Sequence, residues 1–135
     1  MHPSIATTYL GLVVLSAAVL GTPGSVRAAS AVVKSIDSYG YCFGMPDIQK
    51  AVDCAQRRCR ERSRGRCRVV VTCGGGGHGA VFLRQLPGRS IEAIGAACGA
   101  ATRTEAYRRA ARSCDRQSRA TRCKGPNGAW FDRAP

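Results

Sequence analysis

The residues with the clearest capacity for chemistry are arginines. Seven of the twelve residues from position 57 to position 68 are arginine: Arg57, Arg58, Arg60, Arg62, Arg64, Arg66 and Arg68. A planar guanidinium group can form paired hydrogen bonds with a phosphate or a carboxylate, so the run is a candidate anion-binding site. The alternative is a basic surface without a particular ligand, because the whole chain is rich in arginine, alanine and glycine.

The overall charge points to acidic partners. The chain has 135 residues, with 21 Lys and Arg against 8 Asp and Glu, and a formal net charge of +13. We expect it to bind an anionic envelope polymer, lipid headgroups or an acidic protein. Nucleic acid is a disfavoured partner, because the sequence has no helix-turn-helix or zinc-finger signal and few aromatic residues beside the arginines for stacking.

Catalysis is not expected, and neither is a metal site or a cofactor. The glycine-rich stretch at 74–79 (GGGGHG) lacks the Gly-Lys-Ser/Thr of a phosphate loop, so it predicts a flexible hairpin loop. His78 lies alone on that stretch, with no nucleophile motif to accompany it. Paired carboxylates for glycoside hydrolysis are conceivable, but Asp47, Asp53, Glu61 and Glu105 fall in arginine-rich helical segments, where ordinary ion pairs account for them.

The first residues predict a secretion leader. An eleven-residue apolar run from Leu10 to Leu20 is followed by glycine and proline, and it is shorter than the ~20 residues that a membrane-spanning helix needs. We predict that residues 1–28 are removed by cleavage after Ala28, with a second candidate cut after Ala31. The stretch before the apolar run has no Lys or Arg, which departs from the usual leader. The mature protein, residues 29–135, is expected in the periplasm or outside the cell, with no transmembrane segment.

The eight cysteines all lie in that mature part and predict disulfides. Zinc is disfavoured, because the sequence has no Cys-x-x-Cys pair. Two cysteines end predicted helices and two more follow after short turns, so we pair Cys59 with Cys67 and Cys114 with Cys123. The remaining cysteines allow three pairings. Among them we favour the following: Cys42 with Cys54, and Cys73 with Cys98.

An internal repeat appears when the chain is compared with itself at an offset of 55 residues. Eight identities fall within 25 aligned positions: Ser35/Ser90, Ile36/Ile91, Gly40/Gly95, Gly44/Gly99, Ala51/Ala106, Ala55/Ala110, Arg57/Arg112 and Cys59/Cys114. Shared composition does not explain why Ser, Ile and Cys coincide in one frame. We infer a repeat at about 35–67 and 90–123.

Each copy predicts one helix between strands. In the first, small and apolar residues recur every three or four positions: Ile48, Ala51, Val52, Ala55 and Cys59. In the second, Thr102 and Glu105 form a capping box ahead of Ala106, Ala110 and Cys114. Strands are expected at 31–36, 68–72, 80–83, 91–97 and 129–131, with turns at 37–40, 74–79 and 87–88. The prediction is one α+β domain: a duplicated strand–helix–strand unit with a mainly antiparallel sheet, two helices packed on it, and disulfide staples.

The second copy resembles a known family. Its segments 94–99 (IGAACG), 102–106 (TRTEA) and 110–114 (AARSC) are similar to the core of the domain of unknown function 4189 family, and the first copy is similar around Ala51, Ala55, Cys59 and the strand after Cys67. The resemblance covers most of residues 35–123. The family usually carries an aromatic residue near the position of Cys98, and Cys42 and Cys54 are additional here. It implies a small exported bacterial α+β module and brings no catalytic residues.

These observations together predict a non-catalytic cationic binding module that recognises an acidic envelope component or an acidic protein. Two alternatives remain open. One is a secreted inhibitor or small effector that blocks a partner enzyme through the edge formed by residues 57–68. The other is a cationic antimicrobial protein that acts on membranes by charge.

Overall fold

The computed structural model describes residues 28–119 and 121–133, so the predicted leader up to residue 27 lies outside the described residues. Along the chain the elements are β1 (Ala29–Lys34), β2 (Tyr39–Met45), α1 (Ile48–Arg60), β3 (Arg68–Cys73), β4 (Gly77–Gln85), β5 (Ile91–Ala100), α2 (Arg103–Asp115) and β6 (Lys124–Asp132). Neither helix of the described part is long and apolar enough to cross a membrane.

The described strands form two antiparallel sheets of the same design. One has the order β2-β1-β3 and the other β5-β4-β6, so the first strand of each unit is central in its sheet. This arrangement confirms the α+β class with a duplicated unit. Two details differ from the prediction. The strands form two three-stranded sheets instead of one sheet, and each unit has two strands before its helix instead of one. β2 (Tyr39–Met45) is not among the expected strands, and its first two residues fall within the predicted turn at 37–40.

Alternate residues of the central strands face opposite sides of each sheet, one side toward a helix and the other toward the second sheet. The elements therefore form four layers: α1, the first sheet, the second sheet and α2. In β1, Ala31 and Val33 pack against α1, whereas Val32 between them faces the other sheet. In β4, Ala80 packs on the α2 side and Val81 joins Val32 between the sheets. The larger apolar side chains therefore fill the space between the two sheets, and alanines fill the space under each helix.

Each helix begins directly after a residue whose side chain caps its first turn. The Asp47 side chain accepts a hydrogen bond from the Lys50 backbone N–H (2.7 Å), and Thr102 Oγ1 accepts one from Glu105 N–H (3.1 Å). The capping box is half formed, since Glu105 accepts from the backbone of Ala101 rather than from Thr102 (3.2 Å). The described α2 thus has a capped start at the predicted place.

The glycine-rich stretch differs from the predicted loop. β4 begins at Gly77, and His78 lies half-buried on that strand with its ring centroid 4.5 Å from that of Phe131. The physical reason is Trp130 on the neighbouring strand, because a Cβ added to Gly79 would lie 2.0 Å from its ring. Glycine is needed there to admit the indole into the sheet packing, and the strand ladder then continues through His78.

All four preferred disulfide pairings are confirmed. Cys42–Cys54 joins β2 to α1, and two bonds fasten the ends of the helices to the segments that follow them: Cys59–Cys67 and Cys114–Cys123. Cys73–Cys98 joins β3 to β5 and so links the two units. No cysteine is free.

Candidate anion-binding end of the sandwich

The seven arginines of the predicted site are all exposed. They occupy the last turn of α1, the connection that follows it, and the first position of β3. None of the seven forms an ion pair with another described residue. The ion pairs within the described part of the chain join Arg84 to Glu92 and Arg109 to Glu105. Their charge is therefore directed to solvent and is available to an external anion.

The connection that carries them, here called the arginine loop (residues 57–68), is held in place at several points. The disulfide Cys59–Cys67 closes it. Within it, the Gly65 backbone N–H donates to Ser63 Oγ over 2.9 Å. Asp37, in the turn after β1, holds it from outside: Ser63 Oγ donates to Asp37 Oδ1 over 2.5 Å, and the Arg64 backbone N–H donates to Asp37 Oδ2 over 3.3 Å. A closed, internally bonded loop loses little conformational entropy when it binds.

Asp37 anchors this loop by charge-assisted hydrogen bonds. The bond from Ser63, and next the bond from Ser35 (2.9 Å), lower the pKa of the Asp37 carboxyl below its ordinary value. The carboxylate is consequently ionised at neutral pH. Because it is turned to the serines and to the Arg64 backbone, it fixes the loop without pairing with any arginine side chain of the described chain.

The arginines do not converge on one point. Arg58 and Arg62 line a hollow with Tyr39 and Tyr41, where Arg58 donates to the Tyr41 carbonyl oxygen over 2.8 Å. A second group lines a separate hollow with Lys34 and Ile36: Arg66 and Arg68. The arrangement suits an extended or multiply charged ligand better than a single small anion.

The direction of the strands decides where the loop lies in the molecule. Tyr39 Oη donates to the Asn127 carbonyl oxygen (3.0 Å), and further along β2 the ring of Phe43 lies 6.3 Å from that of Trp130. β2 and β6 therefore run in the same direction where the sheets meet. Since β3 runs with β2, the starts of β3 and β6 lie at one end of the sandwich.

A second basic loop, whose arginines are not among the predicted site residues, reaches the same end. It is the connection closed by Cys114–Cys123, just before β6, and its exposed arginines are Arg116, Arg119 and Arg122. Arg122 lines a hollow with Lys124 and Asn127. The repeat offset contained the signal, because Cys114 aligns with Cys59 and the next cysteine of each copy closes an equivalent loop.

We call this region the basic end. Its described Lys and Arg residues, with those in the last helical turns, are Lys34, Arg57, Arg58, Arg60, Arg62, Arg64, Arg66, Arg68, Arg84, Arg89, Arg112, Arg116, Arg119, Arg122 and Lys124. Its acidic residues are Asp37, Glu61, Glu92 and Asp115. Arginines in a last turn also complement the helix dipole. That effect does not account for the arginines within the two loops.

Three rings of β2 and one of β6 form an aromatic seam that starts at the basic end and runs along β2, and it was not among the sequence-based expectations. Tyr39, Tyr41 and Phe43 follow one another with ring centroids 6.5 and 6.4 Å apart, and Tyr41 lies 5.3 Å from Trp130. Alternating aromatic residues at 39, 41 and 43 were the available signal. At the repeat offset Phe43 corresponds to Cys98, so the seam closes one edge of the sandwich where Cys73–Cys98 closes the other.

Other chemistry finds little support in the described residues. They contain no group of three or more His, Cys, Asp or Glu that could hold a metal ion. Asp132 is 3% exposed, and burial raises its pKa, against a smaller lowering by the Gly44 backbone. It lies at the end of β6, away from the basic end.

Comparison with known proteins adds no relative. The chain matches no protein-family model, no curated protein and no solved structure. The resemblance described above stays a prediction, and the functional argument depends on the geometry of the basic end.

Proposed function

We propose that the protein is a non-catalytic binding module that holds an acidic component of the cell envelope at its basic end. The observation that carries the proposal is the arginine loop, an exposed and internally fixed segment whose arginines have no carboxylate partner in the described chain. Guanidinium groups carried on a fixed loop, in a region where basic residues outnumber acidic ones, attract and retain a multiply charged anion.

Export of the protein is part of the proposal. Four disulfides are typical of proteins that fold in an oxidising compartment. The start of β1 supports the earlier of the two candidate cleavage positions. A cut after Ala28 leaves β1 (Ala29–Lys34) whole, whereas a cut after Ala31 would remove half of a central strand.

A second candidate is a secreted inhibitor or effector that binds a partner enzyme. The hollow between Tyr39, Tyr41, Arg58 and Arg62 favours it, because tyrosine and arginine are the residues most often found at energetic centres of protein interfaces. Such a protein would form a saturable one-to-one complex that persists at moderate salt. Charge-driven binding to an envelope anion would be lost under the same conditions.

The test replaces Arg60, Arg62, Arg64 and Arg66 together by Gln. We expect the variant to leave phosphate- or carboxylate-bearing beads, and the anionic envelope fraction, at clearly lower salt than wild type. The matched control removes the same charge at exposed positions outside the basic end by the following changes: Lys50→Gln, Arg103→Gln, Arg108→Gln and Arg133→Gln. Equal elution shifts for both variants would show a generic cationic surface and contradict a site at the arginine loop.

Folding is checked in the same experiment. All four substituted arginines of the loop are exposed, so the far-ultraviolet circular dichroism and the denaturation midpoint should match those of wild type. A lower salt of elution with an unchanged midpoint assigns the loss to binding.

A further inference from the structure

Two aliphatic side chains project from the basic end. Ile36 is 67% exposed in the turn after β1, and Leu86 is 40% exposed in the turn after β4. These turns hold the same place in the two units, and they are joined, because Ile91 N–H donates to the Ile36 carbonyl oxygen over 2.7 Å. The basic end therefore has an apolar part between its two basic loops.

Single exposed apolar residues are common on soluble proteins and carry no argument alone. Here their surroundings matter. Ile36 shares a hollow with Lys34, Arg66 and Arg68, and Arg89 lies in the same turn as Leu86. At the surface of an anionic bilayer the phosphates lie outside and the acyl chains lie just beneath them. Basic side chains beside exposed aliphatic ones can contact both, the basic groups at the phosphates and the aliphatic groups at the acyl chains.

We propose that the basic end docks on a bilayer that contains anionic lipids. Ile36 and Leu86 enter the boundary between headgroups and acyl chains, and the guanidinium groups of the two basic loops lie on the lipid phosphates. The proposal rests on the proposed function and names its target class as lipid. A linear soluble polyanion would use the same arginines but would gain nothing from the aliphatic tips.

The experiment is co-sedimentation with phosphatidylcholine vesicles that contain or lack phosphatidylglycerol. We expect binding only to the anionic vesicles. The double variant Ile36→Ser, Leu86→Ser should lower the partition coefficient about tenfold, since it removes both apolar tips. The matched control Ile48→Ser, Phe131→Ser changes side chains that are 45% and 52% exposed at the opposite end and should stay within about twofold of wild type.

The second basic loop is tested in parallel. Replacing Arg116, Arg119 and Arg122 by Gln should also weaken vesicle binding, because these arginines lie at the same end as the arginine loop.

Soluble dextran sulfate separates this inference from the proposed function. The tip variant should bind dextran sulfate as wild type does, while the arginine-loop variant loses affinity for both dextran sulfate and vesicles. If the tip variant and its control bind vesicles equally, the lipid inference is wrong, and loss of dextran sulfate binding by the arginine-loop variant would still support the proposed function. If wild type binds neither anionic vesicles nor dextran sulfate, both are wrong.

Discussion

Gly40 and Gly95, equivalent in the repeat, mark where each helix lies closest to its sheet. A Cβ at Gly95 would lie 1.9 Å from the Ala110 carbonyl oxygen and 2.4 Å from Cys114 N, and one at Gly40 would lie 2.3 Å from the Ala55 carbonyl oxygen. These obstacles are helix backbone, which a rotamer change cannot move. Each helix would have to retreat by more than about 1 Å and would lose contact with the alanines beneath it.

The expected cost follows from that geometry. Overpacking a close-packed site costs about 1–3 kcal/mol. We expect Gly95→Ala to reach the upper end, about 3 kcal/mol, and Gly40→Ala slightly less, because the contact at Gly95 is closer and disulfides hold both helix ends near these glycines.

Chemical denaturation with the disulfides intact measures this cost, with far-ultraviolet circular dichroism as the signal. Gly75→Ala is the matched control, since a Cβ there would have no heavy atom within 4 Å, and its change should stay within about 0.5 kcal/mol. A Gly95→Ala variant as stable as the control would refute the close seating of helix on sheet.

Two further predictions concern the crosslinks and the buried carboxyl. Replacing Cys73 and Cys98 by Ala opens a loop with a 25-residue separation, for which chain entropy gives a loss of about 3.5 kcal/mol in the free energy of unfolding. Replacing Cys59 and Cys67 by Ala opens an 8-residue separation and should cost about 2.5 kcal/mol. Urea denaturation of the two variants should show this order of stability loss, and the reverse order would contradict it. Burial raises the pKa of Asp132, so the folded protein binds this proton more tightly than the unfolded chain, and wild type gains stability as the pH falls through the raised pKa. Asp132→Asn should be more stable than wild type at pH 7 and should lack that gain in acid, as seen in denaturation midpoints between pH 3 and pH 7. Parallel pH profiles would show that Asp132 is not the group responsible.

Local sequence patterns were sufficient for the helices and for much of the crosslinking. Ala51, Ala55 and Cys59 recur at the spacing of a helix and so predict one buried helical face. Cys67 follows Cys59 after a short turn, so the two are close in space and pair. The favoured pairing of Cys42 with Cys54 is also confirmed, although the spacing of the cysteines alone allows alternatives.

The layers could not be predicted in this way, because strand periodicity assigns faces without saying which faces meet. The turn-forming residues before the strand at 39–45 favour a turn over its first residues. The glycines at the start of the strand from Gly77 favour a loop there. Likewise, the sequence placed the arginines on a helix, a turn and a strand. That a second basic loop lies at the same end follows from contacts between the two units, such as the hydrogen bond that joins Tyr39 and Asn127 across a sequence separation of 88.

The order of the disulfides has a consequence for biogenesis. Each cysteine is bonded to its immediate neighbour in the list of cysteines: Cys42–Cys54, Cys59–Cys67, Cys73–Cys98 and Cys114–Cys123. A thiol oxidase acting on the chain as it emerges from a translocation pore, amino terminus first, would produce the native set simply by joining each new thiol to the one still unpaired. On the proposed export route, consecutive pairing would therefore let an oxidant alone complete the native set, without an isomerase.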